Sequence, residues 1–315
     1  MIRLPRRFSD VRRRHEPVLG TTLDVHVKTR TRSANDVDAT LLAQFDHLEA
    51  VLSIYRPDSE FNRWRTGDGH QDPSTLTTEL LTASLAWQHA TNGIYNPMVG
   101  VLTKRWLEAE NSDSIPARPE LTDIATSIAA PRYAVSTSGQ IAKAGDCTKL
   151  TCHAFAKGFV IDRAVRQTLA THPDQVTSIT VNVGGDLLHH GEGHITVCIE
   201  NPLRAYDNEP PIATVRIANA ALATSGSSRR GFLVAGTRFN HVIDPRTGWP
   251  VGHIVSSSVV AHDTATADAL ATLTNILDPV EGIAAADRFG VAACIIDRNG
   301  NLHTNAAWAK ISCTP

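Results

Sequence analysis

The stretch IVSSSVVAHDTATADALATLTNIL, residues 254–277, decides the fold. Its first nine residues read as a strand and the rest as a helix, with no Gly- or Pro-rich linker between them. The helix carries one oddity. Asp268 sits among alanines and leucines, and Thr272 follows four places later on the same face. Asp263 or Thr264 can cap the helix start, so Asp268 is not needed there. A carboxylate in an apolar helix is costly unless it is paired or holds a cation. One carboxylate, one hydroxyl and nearby carbonyl oxygens are hard ligands that suit Mg²⁺. A pairing with a buried arginine, or plain exposure, accounts for the same residues.

Working outward, helices come first and strands later. TTLDVHV (21–27) alternates as a strand. DVDATLLAQFDHLEAVLSIY (36–55) has helical spacing with a cap at Ser33 or Asn35. TLTTELLTASLAWQHATNG (75–93) is a second helix stopped by Asn92-Gly93, and 101–110 is a third. Residues 111–120 are rich in turn formers and read as a loop. Strands follow at 133–137, 178–191, 195–202 and 211–218, with a helix within 153–172. Residues 239–251 are a strand running into a turn, and 291–303 a closing hairpin with Asn-Gly at its tip. This order predicts an α+β fold, a mixed or antiparallel sheet with flanking helices, rather than regular βαβ alternation.

The 315 residues suffice to bury a sizeable core. Lys and Arg number 30 against 32 Asp and Glu, so no overall field draws the chain to nucleic acid or to a membrane surface. Six arginines fall in the first fourteen residues with no apolar run behind them, so residues 1–17 read as a frayed basic arm, or a partner-binding tail, rather than a secretory signal. Residues 18–315 then form a single domain. No apolar run is long enough to span a membrane. The odd, scattered set Cys147, Cys152, Cys198, Cys294 and Cys313 fits a reducing compartment, the cytoplasm. The C-x4-C-H group at 147–153 lacks a second pair of zinc ligands.

Four further stretches carry chemistry-bearing residues, each with a plainer reading beside it. VNVGGD (181–186) lets backbone approach a ligand, or simply makes a tight turn. ATSGSSRRGF (223–232) offers hydroxyls and the guanidiniums of Arg229 and Arg230 to phosphate, or forms a solvated turn. His241 in NHVIDPRTG (240–248) is a candidate general base or a satisfied structural histidine. Lys157-Gly158 stands at a helix start, where free N–H groups attract anions, or its stem packs with the head in water.

Together these stretches resemble the ApbE-type flavin transferases, which attach FMN from FAD to a Thr or Ser of a target protein. The early G-T-x-x-x-V is matched by Gly20-Thr21, S-x-Y-x-x-x-S by Ser53, Tyr55 and Ser59, and A-K-G-x-x-x-D by Ala156-Lys157-Gly158 and Asp162. N-x-G-G-D falls on Asn182 to Asp186, A-T-S-G on 223–226, H-x-x-D-P-x-T-G on 241–248, and A-D-A-x-x-T on 267–272. The resemblance implies an α+β fold with a flavin cleft and Mg²⁺ on the FAD diphosphate. It places the metal on the side chains of Asp268 and Thr272 and the carbonyl of Ala154. It sets the flavin nucleotide against Ile94, Tyr95, Asn96, Thr151, Lys157, Gly184, Gly185, Asp186 and Ser225, with His241 taking the acceptor's proton. The implied partners are FAD and an acceptor protein with a Thr or Ser site.

The chain departs from the family pattern in four places. Thr151 stands where many relatives carry an aspartate, His153 and Ala154 replace two glycines, Asn96 replaces an acid, and Arg65 replaces a common asparagine. Two other activities suit the same residues: a Mg²⁺-dependent FAD diphosphatase that yields FMN and AMP, and a flavin-binding protein without turnover.

Overall fold

The fold is that of a computed structural model, which describes residues 9–67, 72–204, 209–226 and 231–313. The described chain opens with a hairpin, β1 (Ser9–Val18) and β2 (Thr21–Thr29). Five helices follow: α1 (Ala34–Leu52), α2 (Glu60–Thr66), α3 (Thr75–Ala90), α4 (Gly100–Ser112) and α5 (Arg118–Ile128). A short hairpin, β3 (Tyr133–Val135) and β4 (Ile141–Lys143), precedes α6 (Ala156–Thr171). Next come β5 (Val176–Val183), β6 (Asp186–Gly191), β7 (Ile195–Ile199), β8 (Ala213–Ile217), β9 (Ala220–Gly226), β10 (Gly231–Val234), β11 (Thr237–Asn240) and β12 (Ile254–Ala261). The described chain closes with α7 (Thr264–Ile276), α8 (Pro279–Arg288), β13 (Ala292–Asp297), β14 (Leu302–Thr304), α9 (Ala306–Ile311) and β15 (Ser312–Cys313).

Eight strands form one sheet in the order β1-β2-β5-β6-β9-β12-β13-β14. Every neighbouring pair is antiparallel, so the α+β expectation holds. A second sheet, β15-β8-β7, lies against part of it. Alternation along the central strands separates two cores. Ala221, Ala223, Val259, Ala261 and Ala293 face the helices. Leu222, Val260, Cys294 and Ile296 face the small sheet and Trp308 of α9. β12 is therefore covered on both faces, which is why seven of its eight residues are buried, three serines among them. Its serines find partners: Ser257 shares a 2.6 Å hydrogen bond with Thr274 on α7, and Ser258 a 2.8 Å one with Thr224 on β9.

α7 is placed by α6. A Cβ added at Gly158 would lie 2.4 Å from the Thr264 carbonyl oxygen and 2.7 Å from the Ala265 Cα, so only glycine permits this approach. One turn on, the Asp162 carboxylate accepts from the backbone N–H groups of Thr264 at 2.9 Å and Ala265 at 2.8 Å, while Asp263 accepts from Thr266. The first three N–H groups of α7 are thus satisfied by two carboxylates. Burial pushes the Asp162 carboxyl up, against the pull of those N–H donors. The A-K-G-x-x-x-D motif is in this respect a helix-packing device. Gly158→Ala is expected to destabilise the fold by about 1–3 kcal/mol through overpacking, read as a lower urea midpoint. An unchanged midpoint would mean that α7 can retreat from α6 without cost.

Residues 9–17 correct one expectation. They do not fray but form β1, the sheet's edge strand. Its charges are answered from elsewhere: Arg14 bonds Asp24 at 2.7 Å, and Asp38 of α1 takes both His15 at 2.9 Å and Arg13 at 3.4 Å. Residues 1–8 lie outside the described residues, as do Arg229 and Arg230. The 111–120 loop is also shorter than expected, since α4 runs to Ser112 and α5 begins at Arg118. No described helix is long and apolar enough to cross a membrane.

Candidate active site

A cleft of about 940 Å³ gathers the thirteen residues that the family resemblance marks for nucleotide, metal and proton transfer. Ile94, Tyr95 and Asn96 reach it from the α3–α4 loop, and Thr151 and Ala154 from the segment before α6. Lys157 comes from α6, Gly184, Gly185 and Asp186 from the β5–β6 turn, Ser225 from β9, and His241 from the residues after β11. Asp268 and Thr272 come from the half-buried face that α7 turns to the cleft.

The glycine pair is both turn and wall. Val183 pairs with Asp186 across a two-residue loop in which Gly184 has φ +56° and Gly185 φ +101°, the left-handed geometry such hairpins need. A Cβ on Gly184 would also meet Thr21 Oγ1 at 2.8 Å. The loop is pinned by Asn182, whose Oδ1 accepts from Gly185 N–H at 3.0 Å. It delivers the buried Asp186 to within 2.9 Å of Lys157 Nζ.

Lys157 also faces Asp268. Burial raises the Asp268 carboxyl above its usual range, opposed by the charge of Lys157 and by the Gly158 N–H. The Asp268 Oδ2 atom is shielded from solvent and accepts no hydrogen bond. Such an oxygen is costly unless something fills the space beside it. The donors at hand are that carboxylate, the Thr272 hydroxyl one turn on, and the backbone of Ala154, held in the left-handed region at φ +67°. Among the described residues no three His, Cys, Asp or Glu side chains could hold a metal. One carboxylate with neutral oxygens instead matches an ion bound largely through a substrate's phosphates.

His241 is held by the turn that follows it. The Asp244 carbonyl accepts from Gly248 N–H at 2.8 Å, and the Asp244 carboxylate pairs with Arg246 at 2.9 Å. Gly248, at φ +72°, sits where a Cβ would lie 2.9 Å from Leu121, and its carbonyl accepts from Trp106 Nε1 at 2.9 Å.

Two of the marked side chains are committed to structure. Tyr95 turns its hydroxyl to Ser84 at 2.8 Å, inside the core. Asn96 donates to the Ile128 carbonyl at 3.0 Å and accepts from Met98 N–H at 2.8 Å. A carboxylate at position 96 could not make the first of these bonds. Thr151 N–H bonds the Pro97 carbonyl at 2.9 Å, which ties the two loops together. Cys147 and Cys152 are buried thiols that donate to Arg132 and Ser84, with Cys152 pushed up to about 12 by burial, so they are protonated structural groups.

Parts of the cleft carry no sequence signal. Val197, Cys198, Ile199, Glu200 and Pro202, from β7 and just after it, line it, as do Leu19, Thr22 and Glu49 beside the motif residue Thr21. Tyr55 and His153 stand there with near-parallel rings, 6.5 Å apart. Arg65 fastens the segments that carry those two rings. It donates to the carbonyls of Thr148 at 2.8 Å and Leu150 at 3.0 Å, and to that of Ile54 at 3.4 Å.

This architecture is that of known flavin-transferase structures. The ApbE protein of Thermotoga maritima matches with a TM-score of 0.82 over 98% of this chain and 100% of its own, at 21% identity. The flavin transferase ApbE of Vibrio cholerae matches at 0.78 over 97% and 100%, at 20% identity. The sequence model of the ApbE family matches residues 19–296. The FAD:protein FMN transferase of Treponema pallidum is 30% identical over 84% of this chain and 78% of that protein. That of Haemophilus influenzae is 24% identical over 94% and 91%. The chain belongs to the ApbE family.

Proposed function

We propose that this chain is an FAD:protein FMN transferase that moves FMN from FAD to a Thr or Ser hydroxyl of an acceptor protein, with Mg²⁺ as its metal, and releases AMP. The observation that carries the reading is the shielded, unsatisfied Asp268 Oδ2 on the floor of a cleft that also holds Lys157, His241 and the glycine turn. Asp268, Thr272 and the Ala154 carbonyl fit a hard divalent ion, which when bound neutralises charge on the diphosphate and on the departing AMP.

The protein's own groups do the rest. Lys157, set between Asp186 and Asp268, is placed to receive phosphate oxygens. The N–H groups of the glycine turn let the nucleotide lie close to backbone. His241 accepts the proton of the incoming hydroxyl. That oxygen bonds to the phosphorus carrying FMN, and the bond from this phosphorus to the bridging oxygen breaks. AMP leaves with the bridging oxygen, and the product is a phosphoester-linked flavin. The cytoplasmic placement belongs to the same proposal and rests on the five free cysteines.

The test is to incubate the chain with FAD and Mg²⁺, with and without an acceptor domain. The expected outcome is AMP in step with flavin covalently fixed to the acceptor, and loss of both when EDTA is added. AMP formed at the same rate without acceptor would show a diphosphatase instead. FAD bound with no AMP under any condition would show a flavin-binding protein.

A further inference from the structure

We propose that the open edge of β7 is a docking strand for the acceptor protein: an extended segment of that protein, carrying the Thr or Ser to be modified, pairs with β7 through its main chain. The inference rests on the transferase reading above and deepens it.

A threonine or serine hydroxyl stands close to its own backbone. To bring it beside His241, the acceptor's main chain has to come into the cleft margin with it. There its N–H and C=O groups leave water and need partners. A strand edge offers such partners whatever the incoming side chains are. β7 is placed to do so, since Val197, Cys198 and Ile199 line the same cleft as His241. It stands last in the sheet β15-β8-β7. Among the described residues its ladder runs only to β8, from the Ile195–Ile217 pair to the Ile199–Ala213 pair.

An unpaired edge invites association, and this fold blunts its others. β1 carries Asp10, Arg12, Arg13 and Arg14. β3, β4 and β14 have three residues each, and β15 has two. β11 has four, one of them Arg238. Along β10 the Leu233 N–H donates to Glu110 Oε1 at 2.7 Å, and just after it the Ala235 N–H donates to Asp113 Oδ1 at 2.6 Å. β7 has no such guard. It reads ITVCI, five residues without a charge, a proline or a glycine. Nor is it loose: Ile195 and Val197 pack on the second core and Ile199 is buried, while Thr196 and Cys198 are exposed. Among the described edges, the long uncharged one is therefore the one that borders the cleft. A rigid template beside the reacting groups orders an incoming segment at low cost to itself.

The experiment has two arms. In the first, amide hydrogen exchange along residues 195–199 of the native chain is followed with FAD alone and with FAD plus an acceptor domain, Mg²⁺ being withheld. In the second, steady-state FMN transfer to that domain is measured for Thr196→Lys and Thr196→Val. Thr196 is exposed and does not line the cleft. Lysine is a device that natural edges use against strand addition, whereas valine keeps the shape and suits a strand.

Acceptor is expected to slow exchange in β7 at least about fivefold, and Thr196→Lys to raise the KM for acceptor about five- to tenfold, the scale of one lost main-chain hydrogen bond. FAD affinity stays within about twofold of native in both variants, and Thr196→Val keeps the native KM. If Thr196→Lys fails to fold and loses FAD, the exchange arm on the native chain decides. Transfer that proceeds with β7 exchange unchanged by acceptor overturns the docking and leaves the transferase reading standing. So does a folded Thr196→Lys with native KM. Protection already complete with FAD alone also overturns it and gives the edge to the nucleotide. A native chain that passes FMN to no acceptor overturns the transferase reading and the docking with it.

Discussion

Asp268→Asn is expected to lower AMP release from FAD at least about tenfold, the scale of losing a metal-holding group. The same change is expected to raise the urea midpoint of the ligand-free protein at pH 7. The native carboxylate is forced into a shielded position where Oδ2 has no donor, and the neutral amide avoids part of that desolvation cost. Opposite signs for activity and stability are the mark of a group kept for function at the expense of the fold. Thr272→Val serves as a companion. It keeps volume on α7 and removes a neutral oxygen, so it should raise the Mg²⁺ concentration needed for half-maximal rate. If Asp268→Asn turns FAD over at the native rate, the metal assignment on α7 is wrong.

His241→Gln is expected to slow FMN transfer about a hundredfold, the lower range for a lost general base, while FAD affinity stays within about twofold. On the proposed mechanism binding and chemistry separate, because the imidazole would act on the acceptor's hydroxyl rather than on the flavin. The turn that carries it should survive, since it is closed by bonds of Asp244, Arg246 and Gly248. Single-turnover transfer to a saturating acceptor domain is the measurement. A loss under about tenfold would place the base elsewhere in the cleft.

The cleft was legible in part because some of its residues sit in stretches whose chemistry is local, while Ile94, Tyr95, Asn96, Thr151 and Ala154 were marked by the family resemblance alone. Gly184 and Gly185 had to be a turn or a wall, and the structure makes them both. Helical spacing puts Asp268 and Thr272 on one face, and only the family resemblance reads them as metal ligands. The motif residues Gly158 and Asp162 were legible as a pattern but not as a purpose. Their contacts are with Thr264 and Ala265, about a hundred positions away, and spacing along the chain carries no such information. β1 was misread for the same reason, because the acids that answer its arginines lie on β2 and α1. Short helices escaped as well. α2 has seven residues, too few for a periodic signal. α8 begins at a proline and holds Gly282, both of which read as breakers until Asp278 is seen capping it. The β7 wall has no motif, since any strand end brought to that place would serve.

Arg65 bears on how the cleft can open. Its guanidinium grips Ile54 on one side and Thr148 and Leu150 on the other, and partial burial lowers its pKa without uncharging it. The two lips that carry Tyr55 and His153 are therefore one jaw, moving with α2 or not at all. A motion that widens the cleft at this side has to carry both rings together.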